Sequence, residues 1–529
     1  MAGLNLSQFP GKDDMERFRR AAEYLRGNPG ATLSLEPKTY YLCDEKARQL
    51  QEDVMAGKLT RKPEPLMFNY DFAYVSGIDL NGAEDVCIDG RGATLLFDGF
   101  MENFSLQFCK NVTLKNLNID LARKAYSRGE ITGFGRNYTD ADFGGLPLLS
   151  EGMPTLRVLI YNRKERRFVA CLGAKKIKHL GGGKYRFYGM RHEGIGDDMH
   201  LTHTYHFRPS ILIYEAENTT LENVCIHSHC GMGVVGHRSR DILLKGLKVV
   251  PSIGEAMSTN TDATHFVSCA GLLRFEGCHF EGHGDDAANV HTYYHSIVEA
   301  KKHTCTALVK APTGTHSQKL DYFDVGDTVE LAGINNLAAV RTYTVLESRP
   351  DFKTMRCGYV LDGELPKDFN KYFLADATQL PKLEFTGCYS RGHRSRGVLV
   401  KTRDVLIENC AFEDIDCAWG AAVCIAAEGW WHEGVTAEDV VIRGNRIVGC
   451  ASGIHIGIDA PKPDRPAHKN IAIENNIIDC PGGKHAIYAR NVDGLTLKAN
   501  RLRSGEQDIF IENCVNVVTC EAPWNPTFD

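Results

Sequence analysis

Along much of this chain, apolar and polar residues alternate in short runs, turn at a small polar corner, and alternate again. The pattern recurs as NVTLKNLNI (111–119), NTTLENVCI (218–226), DILLKGLKV (241–249), GLLRFEGCHF (271–280), DVLIENCAF (404–412), DVVIRGNRI (439–447), NIAIENNII (470–478) and GLTLKANRL (494–502). Period-two alternation predicts two strands per copy, joined by a tight corner. Equivalent apolar positions, Leu221, Leu244 and Phe275, then Phe385, Ile407, Ile442, Ile473 and Leu497, lie 22 to 35 residues apart within each run. That interval is one rung of a solenoid with loops of variable size, and predicts an all-β, right-handed parallel β-helix. The corner residues should stack in a column: Cys278, Cys388 and Cys410, then Asn445, Asn476 and Asn500. Stacked asparagines can hydrogen-bond from rung to rung. Leucine-rich repeats have similar periods, but their LxxLxL frame is absent.

A solenoid needs its ends covered. Residues 13–26, DDMERFRRAAEYLR, predict an N-terminal capping helix with Phe18, Ala21, Ala22 and Leu25 on one face. GATLSLEPKTYYL then reads as the first strand and turn. Two stretches lose the rung pattern and read as inserted antiparallel β-modules. The expected organisation is therefore cap and first rungs (1–123), a β-module (124–206), central rungs (207–295), a second, barrel-like module (296–382) and C-terminal rungs (383–529).

A net charge of -6 argues against a nucleic-acid footprint, and no apolar run is long enough to cross a membrane. The N-terminus lacks the apolar core of a signal peptide, so the chain as given reads as cytoplasmic; a trimmed signal would make it secreted or periplasmic. The 18 cysteines are scattered, with no CxxC, and read as small buried hydrophobes of a reducing compartment. A smooth solenoid flank is compatible with a homodimer.

The chemistry concentrates in GHGDDAANVH (282–291). Aligned with TDATHF one rung earlier, Asp262 falls on Asp286 and His265 on Asn289. Stacked rungs lie about 4.8 Å apart, so Asp262 and Asp286 should be neighbours, with Asp285 beside them. Stacking acids costs repulsion, which argues for a role. A calcium site would add an Asp-rich Gly loop, which is absent. Inverting glycoside hydrolysis needs a protonated acid and a carboxylate base, typically about 6.5–9.5 Å apart with a water between them. By position Asp285 reads as the acid and Asp262 with Asp286 as the base pair; the roles of Asp285 and Asp286 can exchange. No cofactor and no metal are called for.

Further candidates for holding sugar are His265, Asn289 and His291 near the acids, and Arg394 and Arg396, which align over Gly284 and Asp286. AAEGWWHEG adds Trp431, whose indole suits the apolar face of a sugar, and Glu433. On the preceding rung lies His237.

STNTDATHF, CAGLLRFEGCHFEGHGDDAANVH, HRSRGVLV, VLIENCAF and WWHEG together resemble glycoside hydrolase family 110, the α-1,3-galactosidases, over roughly residues 205–450. That resemblance implies a β-helix with inserted β-domains and an inverting, exo-acting hydrolase. It implies no metal, a substrate of terminal α-1,3-linked galactose on oligosaccharides or glycans, and catalysis by Asp262, Asp285 and Asp286. The NTD of residues 260–262 followed by DD also resembles polygalacturonases, whose later motifs GHR (392–394) and VLVKT (398–402) match imperfectly. An α-galacturonide hydrolase and a non-catalytic glycan-binding β-helix are the alternatives.

Overall fold

A computed structural model describes residues 4–59, 72–144, 149, 155, 157–204, 206–309, 315, 317–415 and 417–520. Leu156 and Lys310 to Pro312, at the ends of two predicted strand patterns, lie outside them.

The repeats form parallel ladders. Leu221 pairs with Leu244, Leu244 with Phe275, and Phe275 with Phe385 across the whole second module. The ladder then runs through Ile407, Ile442, Ile473 and Leu497. These side chains point inward into one continuous apolar core. A second parallel ladder forms another wall of the coil: Ile211–Tyr214, Val234–His237, Thr264–Val267, Ala288–Lys301, Arg394–Val400, Cys417–Glu428, Ile454–Asp459, Ile487–Arg490 and Ile509–Glu512. The architecture is a right-handed parallel β-helix, the hand that parallel crossovers prefer.

The corners explain the Gly/Asn position of the repeat. Gly246, Gly277, Gly387 and Gly444 have φ of 59 to 65°, and Asn409 and Asn475 have φ of 54 and 55°. Glycine and asparagine are the residues that enter this left-handed region at least cost. The next residue forms the stacked column. Asn445 donates from Nδ2 to Asn476 Oδ1 (2.9 Å), and Asn476 from Nδ2 to Asn500 Oδ1 (3.0 Å). Each also feeds an inward carbonyl, Ile407 O or Ile442 O.

Helix α1 (Asp14–Gly27), capped by the Asp13 side chain on the Glu16 N–H, buries Phe18, Ala21, Ala22 and Leu25 over the first rung. A second helix, α2 (Glu45–Met55), was not expected from the sequence. Its signal is the Asp44 cap with Ala47, Gln51 and Val54 on one buried face, a stripe too short and too polar to stand out.

The first insertion is a seven-stranded antiparallel sheet running from Tyr126–Gly135 to Asp198–Thr202, with its own core. The second begins where Ala288–Lys301 leaves the solenoid. Its first residues pair in parallel with Arg394–Val400, and its later ones antiparallel with Thr304–Val309 and Tyr372–Asp376. One strand thus carries both the rung that follows Asp285 and Asp286 and the root of the module.

Candidate active site

The stacking of the acids follows from the ladder. His265 pairs with Asn289 and Thr264 with Ala288. Just before these strands, Ala263 donates its N–H to Asp286 O (2.8 Å), and Ala287 donates to Arg396 O (2.9 Å). Asp262, Asp286 and Arg396 therefore occupy one column on three successive rungs. Asp262, Asp285 and Asp286 each place an oxygen within 4.8 Å of the others.

These acids line a cavity of about 190 Å³ together with His206, His265, Asn289, Arg394, Ser395, Arg396, Glu428, Trp431 and Glu433. The structure thus gathers all but two of the residues singled out in the sequence. His291 lies one layer behind, fully buried against His265. His237 is elsewhere, and its assignment to sugar binding is corrected: it is 1 % exposed, bonded through Nδ1 to Ser317 Oγ and through Nε2 to Asp321 Oδ1 (2.9 Å). Asp321 also takes His295 Nε2 (2.8 Å), so this cluster locks the second module onto the solenoid.

Each acid has its own partners. Asp285 Oδ1 accepts from Ser395 Oγ (2.7 Å), and Oδ2 faces Arg394 (2.8 Å) and Arg157 (3.4 Å). Burial would raise this carboxyl, but the guanidinium groups of Arg394, Arg157 and Arg396, with the Ser395 hydroxyl, hold it well below the usual carboxylate range. Asp286 accepts the Arg396 backbone N–H at Oδ1 (3.0 Å) and its guanidinium at Oδ2 (3.1 Å). Burial, then the charges of Asp285 and Asp262, push Asp286 well above the carboxylate range against the pull of Arg396 and Lys401.

With both neighbouring histidines neutral, the hydrogen bonds place a proton on Asp262. His291 Nδ1 faces the Thr292 carbonyl (2.8 Å) and must carry a hydrogen. Burial keeps both His291 and His265 neutral, His265 being pushed down to about 4. His291 Nε2 is then an acceptor, and His265 Nε2, 2.8 Å away, is its donor. His265 Nδ1 is left as an acceptor, so the hydrogen in its 2.6 Å contact with Asp262 Oδ2 comes from the carboxyl. At rest the proton belongs to the Asp262–Asp286 pair and the negative charge to Asp285.

The far wall is a second ionic cluster. Buried Lys401 bonds Glu428 Oε2 (2.6 Å) and Glu433 Oε2, and Glu433 also accepts from Asn289 Nδ2 (3.2 Å). Glu433 is aimed by antiparallel pairing with Tyr293 next to Gly434, where any Cβ would sit 2.4 Å from the Tyr294 ring. By spacing, the acidic trio and the set His265, His291 and Glu433 could each hold a cation. Both already face fixed cations, the arginines on one side and Lys401 on the other.

Sequence reasoning missed Arg157 and His206, which come from the first module and the segment after it; packing of a module onto a solenoid has no periodic signal. Lys401, which the galacturonide alternative offers with Arg394 and Arg396 as a cation over the acids, stands two residues after Leu399, which pairs with Asn289, so alternation turns it to the same outer face.

No family model matches the chain. It is 26% identical to α-1,3-galactosidase B of Bacteroides thetaiotaomicron, over 95% of this chain and 86% of that protein. To α-1,3-galactosidase A of Bacteroides fragilis it is 27% identical, over 80% and 75%. Among solved structures, it is similar to an exopolygalacturonase from Thermotoga maritima with a TM-score of 0.41 and 11% identity, over 98% and 91%. The resemblance to the α-1,3-galactosidases of family 110, first visible in the acidic stretch, thus extends over most of the chain.

Proposed function

We propose that this protein is a glycoside hydrolase of the galactosidase kind, an exo-acting enzyme that releases terminal α-1,3-linked galactose with inversion. The observation that carries the reading is the convergence of three carboxylates, unequal in charge, at the floor of a cavity sized for one sugar ring. One acid must protonate the leaving oxygen while another takes the proton of an attacking water. The nearest oxygens are closer than about 6.5 Å, the lower end of the usual inverting separation, and by spacing alone would suit a retaining enzyme. The hydrogen bonds favour inversion. Both oxygens of Asp285 and both of Asp286 are already engaged. A covalent nucleophile would have to give up such a bond; a water held between two acids would not.

The resting charges bear on the roles. Donation from Asp285, the role its sequence position suggested, requires bound substrate to draw Arg394 and Arg157 off its carboxylate. Donation from Asp286 requires only that the proton of the Asp262–Asp286 pair pass to it from Asp262, and on that ground the acid is Asp286 and the base Asp285.

A neutral sugar fits better than a uronate. Arg394 and Arg157 face Asp285, Arg396 faces Asp286 and Glu428, and Lys401 faces Glu428 and Glu433. These four cations are balanced by Asp285, Glu428, Glu433 and the one charge left on the Asp262–Asp286 pair, so a galacturonide would bring an unbalanced negative charge into the site.

The test is proton NMR of galactose-α-1,3-galactose with fresh enzyme, beside Asp285→Asn and Asp286→Asn on aryl α-galactosides. β-Galactose should appear first. Loss of either acid should cost about 10²–10⁴ in turnover. A dinitrophenyl leaving group, which needs little protonation, should restore turnover to the Asp286→Asn protein and leave Asp285→Asn inactive. The opposite pattern exchanges the roles, and α-galactose as the first product ends the inverting reading.

A further inference from the structure

The outer face that carries His265 and Asn289 continues toward the C-terminus in register: Asn289 pairs with Leu399, Leu399 with Cys424, Cys424 with His455, His455 with Tyr488, and Tyr488 with Phe510. The last three residues form an aromatic ladder. The rings of His455 and Tyr488 stack with centroids 4.6 Å apart and 5° between planes; those of Tyr488 and Phe510 stack at 4.9 Å and 7°. All three are partly exposed. His485 tilts against both Tyr488 and Phe510.

Between this ladder and the cavity the outward side chains become small: Cys424 and Ala426 on one rung, Gly457 on the next. A trough results. At one end stand Arg396 and Glu428 of the cavity wall. At the other stands the His455 ring, in register with Cys424. Three rung spacings, about 14 Å, separate Asn289 from His455, the reach of a short oligosaccharide and beyond that of a monosaccharide. Arg490, paired with Glu512 (2.8 Å), and His485 flank the ladder with hydrogen-bonding groups.

We propose that this trough and ladder form a second binding site, which holds the neutral pyranose chain on the leaving-group side of the bond to be cut. The inference rests on the galactosidase reading above. The cavity takes one ring, so the remainder of a glycan must leave it, and beyond the buried Leu399 this face offers a path over Cys424, Ala426 and Gly457 that ends on an aromatic stop. Sugars present C–H groups to aromatic surfaces as apolar side chains do, and hydroxyls to the polar groups beside them.

The test compares kcat/KM for nitrophenyl α-galactoside, whose one aglycone ring stops short of the ladder, with that for a linear tetrasaccharide ending in α-1,3-linked galactose. The Tyr488→Ala and Phe510→Ala proteins should lower the ratio of tetrasaccharide to aryl galactoside by about fivefold, the worth of one aromatic contact. The Tyr488→Phe protein, which keeps the stack, should retain the ratio. An unchanged ratio in both alanine proteins, including one in which the two substrates fall together, overturns the site and leaves the ladder a structural stack. Calorimetric binding of the tetrasaccharide to Asp286→Asn, with and without Tyr488→Ala, reads the same contact without turnover. Weaker binding in the double variant supports the site even if the wild type cleaves neither substrate, and equal binding overturns it.

Discussion

Two columns of polar side chains run along the same coil and solve opposite problems. At the corner, Asn445, Asn476 and Asn500 stack on successive rungs, and each amide supplies both a donor and an acceptor. Such a column satisfies itself, and one further asparagine extends it by one step. At the site, Asp262 and Asp286 stack with the same spacing, but two carboxyls sharing one proton offer far more acceptors than donors. The column cannot close on itself. Its partners come from outside the pair: Asp286 takes Arg396 on the next rung, Asp262 gives its hydrogen to His265, and Asp285 beside them takes Ser395, Arg394 and, from the first module, Arg157. The solenoid gains stability where it repeats and reactive groups where it does not.

The largest effect should come from cutting the link between the module and the acids. Arg157 is buried, donates to Gly284 O (2.6 Å) and Asn260 O (3.1 Å) on two successive rungs, and faces Asp285. Replacing it, Arg157→Gln, should lower kcat/KM about a hundredfold at neutral pH. The pH profile carries more information than the size of the loss. The guanidinium favours the charged form of Asp285, so its removal raises that carboxyl toward its ordinary value. As base, Asp285 must be ionised, and the acidic limb of the profile should move to higher pH. An alkaline limb that moves instead would make Asp285 the proton donor and exchange its role with Asp286.

The same contrast explains what could be read from the sequence. The rungs, the cap helix and the corner column were legible because each depends on a local period repeated many times. The stacking of Asp262 on Asp286 was legible for the same reason: it needs just the rung interval. His237 misled because its outward position matches that of residues in the site, yet the second module covers it and supplies Asp321. Arg157 and His206 were invisible, since no interval relates an inserted module to the rung it rests on. The charges were also hidden. Position alone suggested Asp285 as the acid, whereas its protonation depends on two arginines about 110 and 130 residues away in the chain.

A smaller effect is expected at the corner. The Asn476→Leu protein should lose about 2–4 kcal/mol, because Asn445 Nδ2 and Ile442 O would each lose a buried partner. A solenoid passes such a loss chiefly to adjacent rungs. Hydrogen exchange should therefore quicken across residues 439–504, while amides around Asp286 keep their protection and turnover stays near wild type. Equal quickening along the whole coil would show that the column acts as a single cooperative spine.

The smallest change sharpens the comparison by lengthening the self-satisfying column. Cys410 stands next in line: its N–H already donates to Asn445 Oδ1 (2.9 Å), its thiol points at Phe385 O (3.3 Å), and it receives the Cys388 N–H at 3.4 Å. Asn445 has the corresponding set one rung on: Asn476 Oδ1 for its N–H, Ile407 O for one amide hydrogen and Asn476 Oδ1 for the other. All partners of an amide at position 410 are thus in place. The Cys410→Asn protein should gain about 1 kcal/mol, read as slower hydrogen exchange on the two rungs it joins. The amide is bulkier than the thiol, and overpacking a tight column costs about 1–3 kcal/mol. A net loss would mean that the cysteine half of the column is fitted to sulfur by volume. A gain would mean that hydrogen bonding alone sets the order of the corner, and that the site's column differs from it only in having acids where amides would close the ladder.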